Sequence, residues 1–223
     1  MTFTPNRPDL IGAYMIDGVQ HFHAVTFPQI DRSGSNFSAV IATFGFKPEE
    51  FILSVSMLPE SIYFSVFESA LQKLGIYGTN ADDSPFDAGR VESLSRQMDY
   101  AAACGVSAQV IAGLKQFGHD PAKVFAGRTI WARPDAVTQL AQLGGFDVRR
   151  FVPLGPAFAL ECSHGGVHVD DTEWQFSDDG GTIHVTSRMD HVEPVSALDT
   201  KVAGKLGTAP CGCGLSMATL DFA

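Results

Sequence analysis

Residues 51–57, Phe-Ile-Leu-Ser-Val-Ser-Met, make a short apolar run closed by Pro59, the pattern of a buried strand. Over 59–74 the apolar side chains recur at helical spacing, with Pro59 in the first turn and Gly75 just past the end. The same reasoning predicts helices over 89–103 and 107–117. Ser107 is the N-cap of the second and Gly118 its stop. A strand over 128–132, a helix over 134–143 ended by Gly144-Gly145, and a strand over 147–153 follow. Strands alternating with helices predict an α/β layer, a mainly parallel sheet with flanking helices.

Near residue 150 the texture changes to Gly, Asp, Thr, Val and His with short alternating stretches. Strands are predicted over 157–162, 166–170, 173–177, 182–188, 192–197 and 215–222, joined by Gly-Gly, Asp-Asp and Asp-Gly turns. The expected division is an α/β layer with an N-terminal extension over 1–153, then a small antiparallel β module over 154–223.

Composition narrows the function. Hydrophobic residues are 45% and charged residues 18%, a globular balance. The net charge of −10 repels phosphate backbones, and no Lys/Arg cluster offsets it, so no nucleic-acid partner is expected. No apolar run reaches the ~18–20 residues of a membrane span. The start, MTFTPNRPDL, lacks a basic-then-apolar signal, so a cytoplasmic chain is expected. In that reducing compartment, clustered cysteines point to metal or redox chemistry rather than disulfides.

Cys211-Gly212-Cys213-Gly214 lets two thiolates converge on one ion. Cys162-Ser-His-Gly-Gly-Val-His168 supplies the rest across a glycine turn between two strands. Cys162, His168, Cys211 and Cys213 then form a Cys₃His set, closed and so structural, suited to zinc. His164 competes with His168; the two glycines favour His168. Cys104 reads as core in an apolar helical context. A Cys211–Cys213 disulfide would be a strained ring.

The order of these residues is familiar. Cys162, Gly166-Val167-His168-Val169-Asp170-Asp171, the strand Thr182-Ile183-His184-Val185-Thr186, Pro194 to Asp199, and the Cys211–Gly214 turn run in sequence. This series resembles the C-terminal half of the large domain in phenylacetate–CoA ligase-like adenylate-forming enzymes. Upstream, Gly45-Phe-Lys-Pro-Glu-Glu50 and Leu74-Gly75 resemble that family's "GxxPGD" and "LG". The resemblance implies a zinc held by the four residues above, a nucleotide-ribose role for Asp199, and an acyl pocket. Phe64, Phe67, Trp131 and Phe158 could line that pocket, though core packing is the commoner role for such residues.

The departures bear on activity. The run Ser33-Gly34-Ser35-Asn36-Phe37-Ser38 stands in for a nucleotide loop without its lysine. Leu154-Gly155-Pro156-Ala157-Phe158 stands where the family has Tyr-Gly-x-Thr/Ser-Glu, and Ser196 replaces an arginine. A lid domain is not expected. The resemblance thus implies a shortened relative of acyl/aryl-CoA ligases without ATP-dependent ligation of its own, binding a small carboxylate or acyl compound. Two alternatives stand: an AMP-forming acyl-activating enzyme completed by a partner chain, and a nucleotide-independent enzyme reusing the pocket. Apolar surface left by a lost domain predicts a homodimer.

Ser33, Gly34 and Ser35 could also hold an anion at a helix N-terminus, with a plain N-cap as the bland reading. His21 and His23 share one face of a strand and read as half-exposed. His184 and His191 read as structural. The pairs Asp82-Asp83, Asp170-Asp171 and Asp178-Asp179 read as solvated turns.

Overall fold

A computed structural model describes residues 7–222. The chain opens with a hairpin, β1 (Leu10–Ile16) and β2 (Val19–Val25), and enters α1 (Phe27–Ala42). Next come β3 (Phe51–Val55), a single 3-10 turn (Leu58–Glu60), α2 (Ser61–Lys73), β4 (Tyr77–Ala81) and α3 (Ala88–Gln97). β5 (Tyr100–Val106), α4 (Ala108–Gln116), α5 (Pro121–Val124), β6 (Thr129–Ala132) and α6 (Pro134–Leu143) follow. The remainder is strands: β7 (Asp147–Leu154), β8 (Ala157–Glu161), β9 (Val167–Val169), β10 (Trp174–Asp179), β11 (Thr182–Ser187), β12 (Leu198–Ala203), β13 (Lys205–Leu206) and β14 (Thr219–Asp221).

One nine-stranded sheet runs β13-β14-β9-β8-β7-β6-β5-β3-β4. It is parallel from β4 to β7 and antiparallel from β7 to β13. The β-rich tail therefore does not stand as a separate barrel. Strands β8, β9, β14 and β13 extend the main sheet, and β10-β11-β12 form a small antiparallel sheet beside it.

Helices α1 and α2 cover one face, burying Phe37, Ile41, Phe64 and Phe67 against Ile52, Cys104, Trp131 and Phe151. Helices α3, α4 and α6 cover the other, burying Val91, Ile111 and Leu140 against Leu53, Val55, Ala103 and Ile130. The crossover after β3 thus lies on one face and the crossover after β5 on the other. The gap between the carboxyl ends of β3 and β5 is a topological switch point, where open α/β sheets form a crevice.

Three expectations are corrected here. The helix predicted over 89–103 ends at Gln97, and Tyr100–Val106 is a strand. Its residues are buried on both faces, so the Ala-Ala-Ala-Cys-Gly-Val run carries no polar alternation to mark it as β. Residues 192–197 form no strand; that pairing falls to Leu198–Ala203. The strand over 215–222 shrinks to Thr219–Asp221. Among the described residues no helix is long and apolar enough to cross a membrane.

His23 is 1% exposed, between Tyr14 and Trp174. Burial lowers its pKa to about 4, against the pull of Glu193, with His191 adding to the fall. A histidine is near 6.5 when unfolded, so between 6.5 and 4 the unfolded chain binds the extra proton and stability rises with pH. The full window corresponds to about 3 kcal/mol. In urea unfolding at pH 7 and pH 4.5, His23→Phe is expected to flatten this slope; an unchanged slope would assign the pH dependence elsewhere.

Candidate functional site

The sharpest cluster lies where two stretches far apart in sequence meet beside the sheet. Cys162 follows β8 directly, and β9 carries His168. Gly165 turns the chain between them in the left-handed region (φ +86°), with its N–H donating to the Cys162 carbonyl. Cys211 and Cys213 arrive from the segment before β14, in a turn closed by the Gly214 N–H on the Cys211 carbonyl. The ligand atoms of Cys162, His168, Cys211 and Cys213 all lie within 4.8 Å of one another.

The geometry suits a tetrahedral ion. Bonds of ~2.3 Å to sulfur and ~2.0–2.1 Å to nitrogen give S···S edges of about 3.8 Å and S···N edges of about 3.5 Å. The Cys162 and Cys211 sulfurs are 3.5 Å apart, and the Cys213 sulfur lies 3.2 Å from His168 Nε2. His168 Nδ1 sits 3.3 Å from the Met217 carbonyl, which fixes the ring and turns Nε2 to the thiols. Burial lowers the His168 pKa and keeps the imidazole neutral, as a ligand must be. Burial pushes Cys162 up to about 11, against N–H donation from His164 and Gly166. Cys211 also feels burial, but N–H groups of Cys213 and Gly166 hold it below the ordinary thiol range. Three thiols and one neutral imidazole at these spacings could hold a divalent metal. His164 lies outside the set; its Nδ1 contacts Ser163 Oγ at 3.1 Å.

Gly166 is part of this cradle. A Cβ there would stand 2.5 Å from the Cys211 sulfur and 3.1 Å from His168 Nε2. Gly166→Ala is expected to weaken divalent-metal affinity about tenfold or more, leaving the circular dichroism unchanged. Competition with a chromophoric chelator checks this, and parent-like affinity would show that the ligands tolerate the extra methyl.

The other expected residues fall elsewhere. Ser33, Gly34 and Ser35 lie inside α1, whose N-cap is Thr26, so they form neither a loop nor a helix N-terminus. Gly34 instead lets α1 and α2 approach: a Cβ would meet Ser69 Cβ at 2.7 Å. Ser33 Oγ donates to Asp170 Oδ2 at 2.6 Å, and Ser35 Oγ to the Asp31 carbonyl at 2.9 Å. Asp199 pairs with Lys201 at 2.7 Å on β12. Phe64, Phe67, Trp131 and Phe158 are all core: Phe158 stacks on Phe37 at 4.1 Å, and Trp131 Nε1 donates to the Glu161 carbonyl at 2.9 Å.

Two acidic pairs are more than solvated turns. Asp170 is 2% exposed and accepts from Ser33, Asn36 and two backbone N–H groups, tying α1 to the turn between β9 and β10. Asp83 reaches the switch-point crevice. There Arg133, just past β6, places its guanidinium on Glu60 in a two-pronged pair, 2.7 Å on each side. Its Nε donates to the Gly105 carbonyl at 2.9 Å and stands 3.1 Å from Asp83 Oδ2. Asp83 in turn accepts from Ser107, which caps α4. Sequence reading missed this knot, whose members are spread from Glu60 to Arg133 without a local pattern. The Thr26-x-x-Gln29 capping box would have placed the start of α1 correctly.

No protein-family model and no curated protein matches the sequence. Solved structures do resemble the fold. A 2-hydroxyisobutyryl-CoA ligase in its postadenylation state with 2-HIB-AMP aligns over 98% of this chain and 52% of its own, at TM-score 0.73 and 12% identity. An AMP-forming acyl-CoA synthetase/AMP-acid ligase II-like protein from Dyadobacter fermentans aligns over 95% and 59%, at TM-score 0.54 and 11% identity. The N-terminal subdomain of Klebsiella oxytoca NpsA, with 3-hydroxyanthranilyl-AMSN, aligns over 96% and 58%, at TM-score 0.54 and 14% identity. The chain thus spans little more than half the length of these structures. At such identities the likeness establishes the fold alone: that of part of AMP-forming acyl-CoA ligases in general, not of phenylacetate–CoA ligases in particular.

Proposed function

We propose that this chain is a zinc-stapled relative of the acyl/aryl-CoA ligases that does not ligate on its own and binds a small carboxylate or acyl compound at the switch-point crevice. The observation that carries the reading is the convergence of Cys162, His168, Cys211 and Cys213, in the order that the phenylacetate ligase resemblance implies. Four protein ligands leave zinc no open position, so its role is to hold the segment before β14 against β8 and β9. Held by Cys162, His168, Cys211 and Cys213, zinc would supply the positive charge that favours the thiolate form of the three cysteines.

The crevice argues against nucleotide chemistry. Phosphoryl transfer needs lysine, arginine or metal at the phosphates. Among the described residues the guanidinium at the crevice is that of Arg133, already paired with Glu60, and Asp83 adds a second carboxylate. Elemental analysis of the purified chain should return about one zinc per chain. Titration with magnesium-ATP should give no heat, while benzoate binds. Absence of stoichiometric metal together with saturable ATP binding would overturn the reading.

The share of the related chains that is matched supports a second reading, in which a partner chain completes an AMP-forming ligase. Magnesium-dependent ATP binding that appears only with such a partner would favour it.

A further inference from the structure

The Arg133–Glu60 pair has the geometry of ligand recognition more than that of a surface salt bridge. A planar guanidinium that meets both oxygens of one carboxylate at 2.7 Å is the arrangement arginine uses to bind carboxylate ligands. Arg133 is fixed: its side chain is 11% exposed, its Nε is held by the Gly105 carbonyl, and α6 begins at the next residue. Glu60 is held from within its own turn: its Oε2 also accepts the Met57 N–H at 2.9 Å, so carboxylate and turn move together. The single 3-10 turn that it ends carries no buried residue, and Met57 and Leu58 are 44% and 88% exposed. Large apolar side chains left in water on a one-turn segment mark a piece of chain that has little packing to lose by moving.

Beside this turn lies a cavity of about 200 Å³. Met57, Leu58 and Phe64 supply its apolar wall, Ser61, Ser65 and Asn80 its neutral polar groups, and Glu68 and Asp82 bring carboxylates to its rim. Phe64 also packs against Gly105, the residue whose carbonyl holds Arg133, and Ser61 and Asp82 in the cavity wall are the chain neighbours of Glu60 and Asp83, so the cavity lies next to the residues that surround the guanidinium. An apolar cavity of roughly 150 Å³ accommodates a benzene ring. The cavity is therefore large enough for a short acyl chain or one aromatic ring.

We infer that Glu60 is an internal stand-in for the ligand: a small acyl or aryl carboxylate takes its place on Arg133, and the Leu58–Glu60 turn swings outward to admit it. This deepens the proposed function and rests on its carboxylate reading. The exchange leaves the charge around Arg133 unchanged, because one carboxylate enters as another leaves into water. Asp83 stays on the guanidinium throughout. It also makes binding self-limiting, since every ligand must outcompete a tethered carboxylate.

Titration calorimetry with sodium benzoate, and with benzamide as the uncharged analogue, tests this on the full chain with its metal. Glu60→Ala is expected to bind benzoate at least tenfold more tightly than the parent, and neither protein should bind benzamide. Glu60→Gln, which keeps the shape and removes the charge, should fall between. Benzoate binding equal in the parent and in Glu60→Ala would overturn the exchange while leaving the carboxylate reading intact. Benzamide binding as well as benzoate would overturn it too. No benzoate heat from any of the three would overturn the carboxylate reading, and the exchange with it.

Discussion

Cys211→Ser is expected to release the metal and to lower the melting temperature by roughly 8–16 °C. The magnitude follows from chain entropy. An ion held by the cluster would tie residue 162 to residues 211 and 213, closing a loop of about fifty residues, and a cross-link of that span stabilises by about 4 kcal/mol in the loop-closure model. In a chain of this length each kcal/mol moves the midpoint by about 2–4 °C. The loss is concentrated in the tail: without the ion, the segment before β14 keeps Leu215 and Met217 on the core, the Ala218 N–H on Asp171, and the short pairing of β14 with β9 and β13. Helices α3 to α6 pack on a core that the cluster does not touch. Hydrogen exchange should therefore accelerate around 205–221 and stay slow in β3, β5 and β6. The same change should follow from chelating the parent. A variant that melts like the parent and still holds one metal would remove the staple from the account.

How much of this was legible follows the range of each signal. Helix α6 stands where Pro134 and Gly144 put it, because a start and a stop are local and Gly144 takes a left-handed conformation (φ 69°) that glycine adopts freely. The Cys/His cluster was legible for a related reason. Thiols and imidazoles have few other reasons to gather, and the glycines between them announce tight turns. Strand β5 was not legible, since burial on both sides erases the period that distinguishes strand from helix. Ser33-Gly34-Ser35 misled because small polar residues serve turns and close helix packing equally well. Only the Ser69 side chain of α2, distant in sequence, reveals which applies.

The buried polar contacts lay beyond sequence reading altogether. Asp170 looks like any turn aspartate until α1 places Ser33 and Asn36 against it. The likeness to part of the AMP-forming ligases places such contacts in context without assigning them. At 12% identity the likeness reaches the fold and says nothing of the side chains at the crevice.

Arg133 and Glu60 should answer to mutation very unequally, although they form one pair. Arg133→Met is expected to destabilise by about 3–5 kcal/mol, the range for a buried pair that loses one partner. The reason is Asp83, whose side chain is 9% exposed and would be left as an uncompensated charge. Burial already raises the Asp83 pKa, and Arg133 is the main group opposing that rise. Without it the folded-state pKa climbs further above the unfolded value near 3.9. A carboxyl raised in this way costs stability above its folded pKa and ceases to do so as pH falls through it, so the deficit should shrink between pH 7 and pH 5. Glu60→Ala, by contrast, leaves Arg133 paired with Asp83 and bonded to Gly105, and the lost partner is the more exposed one. It also costs the exposed Met57 N–H its acceptor, and the expected total is about 1–2 kcal/mol, with little pH dependence. Urea unfolding of both variants at pH 7 and pH 5 reads the difference. Equal costs would mean that Glu60 is as much a fixture of the fold as Arg133. A low cost for Glu60 and a high, pH-dependent cost for Arg133 would mean that the guanidinium is built in and that its present partner is replaceable.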